Sequence, residues 1–256
     1  SHYLYSVVSG KNISIAPIIL AGGLGTRLRS VMPERPKVLA PVNGKPFLSY
    51  LLDKLLLSGF TEAVLCVGYK AEMIEAEYGN GGRGLNLSYS REDTPLGTAG
   101  AVRKALEMVK TDTILVMNGD SYCDTDLGAF IEWHEQHQER PSLLIVELEN
   151  SSRYGSVTID KCAKITTFEE KKDTSSIGMP PPGMINAGIY LIPKSIMRNI
   201  PADTNLSFEK DIFPNWIVDG LYGLKTNAKF IDIGTPESWK NAGKIFLGKT
   251  DDGSGQ

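Results

Sequence analysis

The sequence predicts an α/β protein, a three-layer α/β/α arrangement around a mixed, mainly parallel sheet. Three observations carry that expectation. Runs of β-branched and apolar residues alternate with helix-length amphipathic stretches through the first half of the chain, as in a doubly wound sheet. A glycine-rich loop follows the first apolar run directly, and an aspartate, Asp120, follows the last. Open α/β sheets bind ligands at such strand ends.

The elements follow in order. Ala16-Pro-Ile-Ile-Leu-Ala21 reads as a buried strand ended by glycines. Pro46 opens a helix in which Leu48, Leu51, Leu52, Leu55 and Leu56 recur at helical spacing until Gly59 stops it. Ala63 to Val67 is a strand, Ala71 to Tyr78 a helix, Leu85 to Ser90 a strand, Ala99 to Val109 a helix and Thr113 to Met117 a strand. Beyond Asp120 the pattern loosens toward α+β. Asp126 caps a helix running through His137, and Ser142 to Leu148 and Ser156 to Ile159 read as strands. Lys172 to Gly183, with Ser175-Ser176 and Pro180-Pro181-Pro182, has no periodicity and reads as a loop. We expect an N-terminal extension over 1–14, one domain over 15–247 and a flexible tail over 248–256.

With 256 residues, 41% of them hydrophobic, the chain can bury a substantial core. Its 27 Lys+Arg against 30 Asp+Glu leave a net charge of -3, which supplies no basic excess for nucleic-acid phosphates. No apolar run approaches the roughly 18 residues of a membrane helix. No signal peptide is read at Ser1-His2-Tyr3, so the expected location is the cytoplasm. Cys66, Cys123 and Cys162 are far apart and form no CxxC pair, and are expected as buried or half-buried reduced thiols.

The chemistry concentrates in Leu20-Ala-Gly-Gly-Leu-Gly-Thr-Arg-Leu28. Glycines let backbone N–H groups approach a phosphate, and Arg27 adds a charge. No GKS or GKT closes the loop, and Leu28 stands where a dinucleotide fingerprint would have its last glycine. Lys37, after Pro36, supplies a second cation ten residues on, and two cations near one glycine loop favour a polyphosphate. Asp120 and Asp232 each follow or sit within an apolar run, a suitable carboxylate pair for magnesium. Asp126 is read as a helix cap and Asp124 as loop. His134 and His137, spaced H-E-Q-H rather than H-E-x-x-H, are placed on the solvated face of their helix.

The G-G-x-G-T-R and P-K spacing resembles the signature of the sugar-1-phosphate nucleotidylyltransferases. Thr94 to Gly100, Asn118 to Ser121, Phe168 to Lys171, Ile185 to Tyr190, Ser207 to Phe213 and Phe230 to Glu237 look like further motifs of that family, in its order. The resemblance spans about residues 15 to 245 and is nearest to the branch acting on D-glycero-α-D-manno-heptose 1-phosphate, with mannose-1-phosphate guanylyltransferases next. It implies a Rossmann-like nucleotide-diphospho-sugar transferase fold, with a nucleotide half to about residue 125 and a sugar-binding half beyond.

The resemblance also implies roles. Leu20, Ala21, Gly22, Gly23, Gly25 and Thr26 would line the nucleotide, Arg27 would grip its β and γ phosphates, and Lys37 would contact the α phosphate. Gly97 and Thr98 would belong to the base-pocket loop, and Asp120 and Asp232 would ligate Mg²⁺. Glu170 would bond sugar hydroxyls and Lys171 the sugar phosphate, with Tyr154, Gly155 and Asn186 lining that pocket. Arg27, Lys37 and Asp120 are the expected catalytic residues. The expected partners are a nucleoside triphosphate, GTP first, and a sugar 1-phosphate; a homo-oligomer is left open. The rival acceptor is mannose 1-phosphate, the rival nucleotides are UTP and CTP, and a noncatalytic sugar-nucleotide sensor is the alternative from another class. One departure is the spacer from Lys171 to Asn186, which carries Met179-Pro-Pro-Pro-Gly183 and is long for the family.

Overall fold

A computed structural model describes residues 5–8, 11–137, 140–149, 151, 154–169 and 182–247. In chain order the first strands are β1 (Tyr5–Val8), β2 (Lys11–Leu20), β3 (Pro41–Val42) and β4 (Lys45–Pro46), followed by α1 (Phe47–Leu57), β5 (Glu62–Val67) and α2 (Ala71–Tyr78). Then come β6 (Gly81–Gly82), β7 (Leu85–Arg91), α3 (Gly97–Ala105), β8 (Thr113–Asn118) and β9 (Ser121–Cys123). The second half holds α4 (Leu127–His134), β10 (Ser142–Leu148), β11 (Ser156–Ile159), β12 (Ile165–Glu169), β13 (Gly183–Pro193) and α5 (Lys194–Arg198). It closes with α6 (Phe213–Asp219), β14 (Tyr222–Thr226), β15 (Phe230–Asp232) and α7 (Pro236–Leu247).

The main sheet runs β14-β10-β13-β8-β2-β5-β7-β6, with β1 paired to the start of β2. Strands β8, β2, β5 and β7 are mutually parallel, and β10 and β14 are parallel to each other. Strand β13 is inserted antiparallel between β8 and β10. From β2 the chain winds outward to β5 and β7, then crosses back to β8 on the other side of β2. That reversal makes a topological switch point, and the crevice at the carboxyl ends of β2 and β8 is the expected ligand site.

Two apolar layers sandwich the sheet. Ile19, Leu65, Leu115 and Met117 face α1, α2, α4 and α7, while Ile18, Val64, Ile114 and Val116 face α3, α5 and α6. This alternation is the period-two pattern of strands covered on both faces. Helix α1 shows how sequence becomes packing: Phe47, Leu48, Leu51 and Leu55 form one fully buried stripe. Truncating a side chain such as Leu51 to alanine should cost about 2–5 kcal/mol.

The helix and strand bounds read from the sequence hold for α2, β10 and β11. Asp126 caps α4 as expected, its carboxylate accepting from Gly128 N and Ala129 N. The first strand begins at Lys11 rather than Ala16, because its leading residues pair with β1. Gly183 opens β13 rather than closing a loop, while residues 172–181 and the tail 248–256 lie outside the described residues.

Two expectations are corrected. His134 is 1% exposed, not solvated, because the inner face of α4 packs on β10 and places its Nδ1 2.6 Å from Ser142 Oγ. Burial pushes its pKa down to about 4. His137 is half-buried between Trp133 and Tyr222, at ring distances of 4.7 and 4.2 Å. Cys66 and Cys123 are buried as expected, whereas Cys162 sits exposed in the turn before β12. Burial raises the Cys66 thiol and pushes Cys123 up to about 12, so neither ionises near neutrality.

Candidate active site

Strand β2 delivers the glycine loop into the crevice. Leu20 O accepts from Gly119 N and Ala21 N donates to Cys66 O, both at 2.8 Å, so the loop leaves the sheet pinned to the ends of β8 and β5. Among the described residues no carbonyl accepts from the N–H groups of residues 22–27. Backbone donors left unpaired in a concave loop suit an anion. Gly25, at φ +55, packs so closely on Lys37 that an added Cβ would lie 2.9 Å from Lys37 Cβ. Buried Leu28, in the 3₁₀ turn Leu28–Ser30, anchors the far side of the loop and leaves Arg27 exposed at the cleft.

Lys37 opens the 3₁₀ turn Lys37–Leu39, whose Val38 and Leu39 are buried. Its Nζ reaches Asp120 Oδ2 at 2.5 Å. Asp120 lies just beyond β8, and the short ladder of β9 with β15 sets Asp232 opposite Ser121. Ile233 N donates to Asp120 O at 3.0 Å, so residues 113 positions apart in sequence become neighbours. The Asp232 carboxylate is held in place: Oδ1 accepts from Gly234 N at 2.8 Å and Ser238 Oγ at 3.0 Å, and Oδ2 accepts from the Tyr154 hydroxyl.

These groups line one cleft of about 510 Å³. Gly25, Thr26, Arg27 and Lys37 form one wall, Asp120 and Asp232 the floor, and Tyr154, Asn186 and Glu209 the other wall. Asn186 is fixed by three atoms: Nδ2 donates to Tyr190 Oη at 2.7 Å and Glu209 Oε1 at 2.9 Å, and Oδ1 accepts from Gly188 N at 2.8 Å. Gly155 carries the chain from Tyr154 into β11. Glu170 and Lys171 lie outside the described residues.

A second cleft, of about 480 Å³, lies on the other side of the glycine loop. Gly22 and Gly23 face Gly97 and Thr98 across it, with Tyr69, Glu92 and Asn205 between. Gly97, at φ +69, admits no side chain, since a Cβ there would come within 2.4 Å of Leu206 O. Thr98 Oγ1 accepts from Phe208 N at 2.9 Å, so its hydroxyl also ties α3 to the segment bearing Glu209. Glu92 Oε2 accepts from Leu96 N at 3.2 Å, while its Oε1 lies close to Gly22 and Gly68. Burial raises the Glu92 pKa, an effect opposed by the Leu96 N–H and by Lys104.

The structure therefore brings Arg27, Lys37, Asp120, Asp232, Tyr154 and Asn186 together, and sets Gly22, Gly23, Gly97 and Thr98 around the adjoining cleft. Leu20 and Ala21 form the root of the loop. Glu92, Tyr69 and Glu209 were not singled out from the sequence. Glu209 lies inside the Ser207 to Phe213 motif, which was the available signal; a lone glutamate in a loop, as Glu92 reads, carries none.

A switch-point crevice that gathers cations, carboxylates and unpaired N–H groups is built to handle phosphate esters, and on this topology that is the work of nucleotidyltransferases. The chain belongs to the nucleotidyl transferase family, whose model matches residues 16–247. It is 37% identical over 228 residues to the D-glycero-α-D-manno-heptose 1-phosphate guanylyltransferase of Aneurinibacillus thermoaerophilus, a match covering 89% of this chain and 96% of that protein. It is 33% identical to the mannose-1-phosphate guanylyltransferase of Mycobacterium tuberculosis, covering 87% of this chain and 62% of that protein. The crystal structure of HddC from Yersinia pseudotuberculosis complexed with GMP-PN matches with a TM-score of 0.79 at 35% identity, over 90% of this chain and 99% of that one. Members of this family typically use a divalent cation. Among the described residues no helix is long and apolar enough to cross a membrane.

Proposed function

We propose that the protein transfers the guanylyl group of GTP to D-glycero-α-D-manno-heptose 1-phosphate, giving the GDP-sugar and pyrophosphate. The observation that carries this reading is the cluster of Lys37, Asp120 and Asp232 facing the glycine loop within one cleft. The choice of heptose and guanine follows the relatives' activities, and mannose 1-phosphate is the rival acceptor.

In the reaction an acceptor phosphate oxygen attacks the α-phosphorus, a new P–O bond forms, and the bond to the β-phosphate oxygen breaks with its electrons leaving on pyrophosphate. The acceptor is already an anion, so no general base is required. Catalysis is then in-line positioning and charge neutralisation. The loop N–H groups from Gly22 to Thr26 and Arg27 hold the β and γ phosphates, and Lys37 meets the α-phosphate. Leu20 and Ala21 fix where that loop starts, and Gly97 and Thr98 wall the base. As a carboxylate, Glu92 accepts from both N1–H and the 2-amino group of guanine; no other common base offers two adjacent donors there.

Asp120 and Asp232 fit Mg²⁺, which takes one or two carboxylates plus substrate phosphates and does not need a full protein cage. Among the described residues no group of three or more acidic, histidine or cysteine side chains competes as a metal site. When bound, the ion neutralises the transferring phosphoryl group. Tyr154, Gly155 and Asn186 line the sugar, and by family resemblance Glu170 bonds its hydroxyls and Lys171 its phosphate. The chain divides near residue 125 into a nucleotide half and a sugar half within one domain, and its substrate pair suits the cytoplasm.

The test is pyrophosphate release over a matrix of nucleoside triphosphates and sugar 1-phosphates. GTP with the heptose phosphate should give the highest kcat/KM. Release with none of the pairs would refute the proposal.

A further inference from the structure

We infer that a rear cleft behind Tyr154 receives the exocyclic carbon chain of the acceptor sugar and thereby selects a heptose over a hexose. The inference rests on the front cleft being the acceptor site, as proposed above.

This rear cleft measures about 370 Å³ and shares Tyr154, Phe230 and Asp232 with the front one. The two rings form the partition, Tyr154 meeting Phe230 edge to face at 5.8 Å and 81°. A ligand seated against Asp120 and Asp232 in front thus borders the same Tyr154, Phe230 and Asp232 side chains that line the rear cleft. Helix α7 supplies the opposite wall. Glu237, Asn241 and Ile245 are four residues apart and so lie on one face of it.

The lining decides which end of the substrate can enter. Described wall residues include the carboxylates Glu149 and Glu237, with no lysine or arginine. Such a surface repels a phosphate and accepts hydrogen bonds from neutral hydroxyls, while the Asn241 amide can both donate and accept. Leu148 and Ile245 add apolar surface for a sugar's C–H groups. Among the described residues, Glu149, Glu237 and Asn241 make no side-chain hydrogen bond or ion pair. The cations Arg27 and Lys37 lie in the front cleft. Charge therefore orients the acceptor with its phosphate forward and its hydroxyl-bearing tail behind.

The two acceptors that the relatives use differ only at that tail. In the heptose, one hydrogen on C6 of mannose is replaced by a hydroxymethyl group. A cleft that hydrogen-bonds this added group discriminates against the sugar that lacks it, and one that merely accommodates it does so weakly.

The experiment measures kcat/KM for D-glycero-α-D-manno-heptose 1-phosphate and for mannose 1-phosphate at saturating GTP and Mg²⁺. It compares the wild-type protein with Asn241→Leu, which removes the amide, and Ile245→Trp, which fills the cleft; Glu237→Gln serves as a milder third variant. Wild type should favour the heptose by roughly tenfold or more, and Asn241→Leu and Ile245→Trp should each erase most of that preference through a higher KM for the heptose alone. GTP affinity by calorimetry and the melting temperature should stay at wild-type values. Equal losses for both sugars, or no loss for the heptose in any of the three variants, would overturn the inference and leave the guanylyltransferase reading intact. Turnover of neither sugar phosphate by the wild type would overturn both.

Discussion

Lys37 Nζ lies 2.5 Å from Asp120 Oδ2, so a proposed phosphate-gripping cation and a proposed metal ligand are each other's counter-ion before any substrate arrives. The side chains are 17% and 40% exposed, and neither is sealed from exchange. A divalent cation held by Asp120 and Asp232 would compete with the ammonium for that carboxylate, and Lys37 would then be free to turn toward the α-phosphate. Replacing Lys37 by methionine should therefore leave Mn²⁺ affinity of the nucleotide-free protein equal or higher by calorimetry. Turnover should fall roughly 10²- to 10³-fold, the scale for losing one preorganised donor to developing charge. A loss of metal affinity in Lys37→Met would mean the two cations do not share that oxygen.

Asp232 is fastened by Gly234, Ser238 and Tyr154, whereas Asp120 has Lys37 as its side-chain partner. Asp120→Asn and Asp232→Asn should each lower turnover by orders of magnitude, since a metal stabilising the transferring phosphoryl is worth several kcal/mol. Chelation with EDTA should abolish activity in the wild type. Near-normal rates in either folded variant would remove that residue from the metal site.

The proposed contact with guanine uses Glu92 as a carboxylate, and burial raises its pKa above the ordinary glutamate value of 4.5. Protonation therefore begins at a higher pH than for a solvated glutamate, and it costs one of the two acceptors that guanine needs. The KM for GTP should rise toward acid pH in the wild type and should vary much less in Glu92→Gln. That variant should also lose about 10- to 100-fold in GTP over ITP discrimination, because inosine lacks the 2-amino donor. Unchanged discrimination would place base selection elsewhere.

His134 is neutral in the fold down to about pH 4, while an unfolded histidine titrates near 6.5. Between those values the unfolded chain binds the extra proton, so stability is full above pH 6.5 and declines as pH falls through this window. The decline from this residue is on the order of 3 kcal/mol. Denaturant melts from pH 7 to pH 4.5 should show it, and His134→Gln should flatten that part of the profile. Equal slopes in both proteins would mean that the imidazole is not buried neutral.

The glycine loop and Asp120 were readable from sequence because each belongs to a local strand-to-loop junction, and Lys37 because it follows Pro36 at a fixed short spacing from that loop. The bounds of α2 and β10 were readable because their apolar spacing is set by their own neighbours. Strand β13 was not, since its place between β8 and β10 depends on pairings such as Tyr190 with Val116 and Ile185 with Val146. His134 was misplaced for a related reason: which face of α4 turns inward is decided by Ser142 and by Tyr222, the latter more than eighty residues away. The approach of Asp232 to Asp120, made when β15 pairs with β9 and sets Asp232 opposite Ser121, is likewise a long-range fact that no local spacing shows. Glu92 carried no signal because its burial comes from the loops at Gly22 and Gly68 folding over it.

In the proposed reaction the nucleotidyl group passes directly from GTP to the acceptor within one cleft. Phosphorus NMR of the wild-type protein with GTP, Mg²⁺ and D-glycero-α-D-manno-heptose 1-phosphate tests it most directly. The predicted spectrum gains pyrophosphate and a paired diphosphate diester in equal amounts as GTP and the sugar phosphate disappear, and shows no pyrophosphate when the acceptor is omitted. A stoichiometric burst of pyrophosphate without acceptor, or release of GMP in place of the diester, would contradict it.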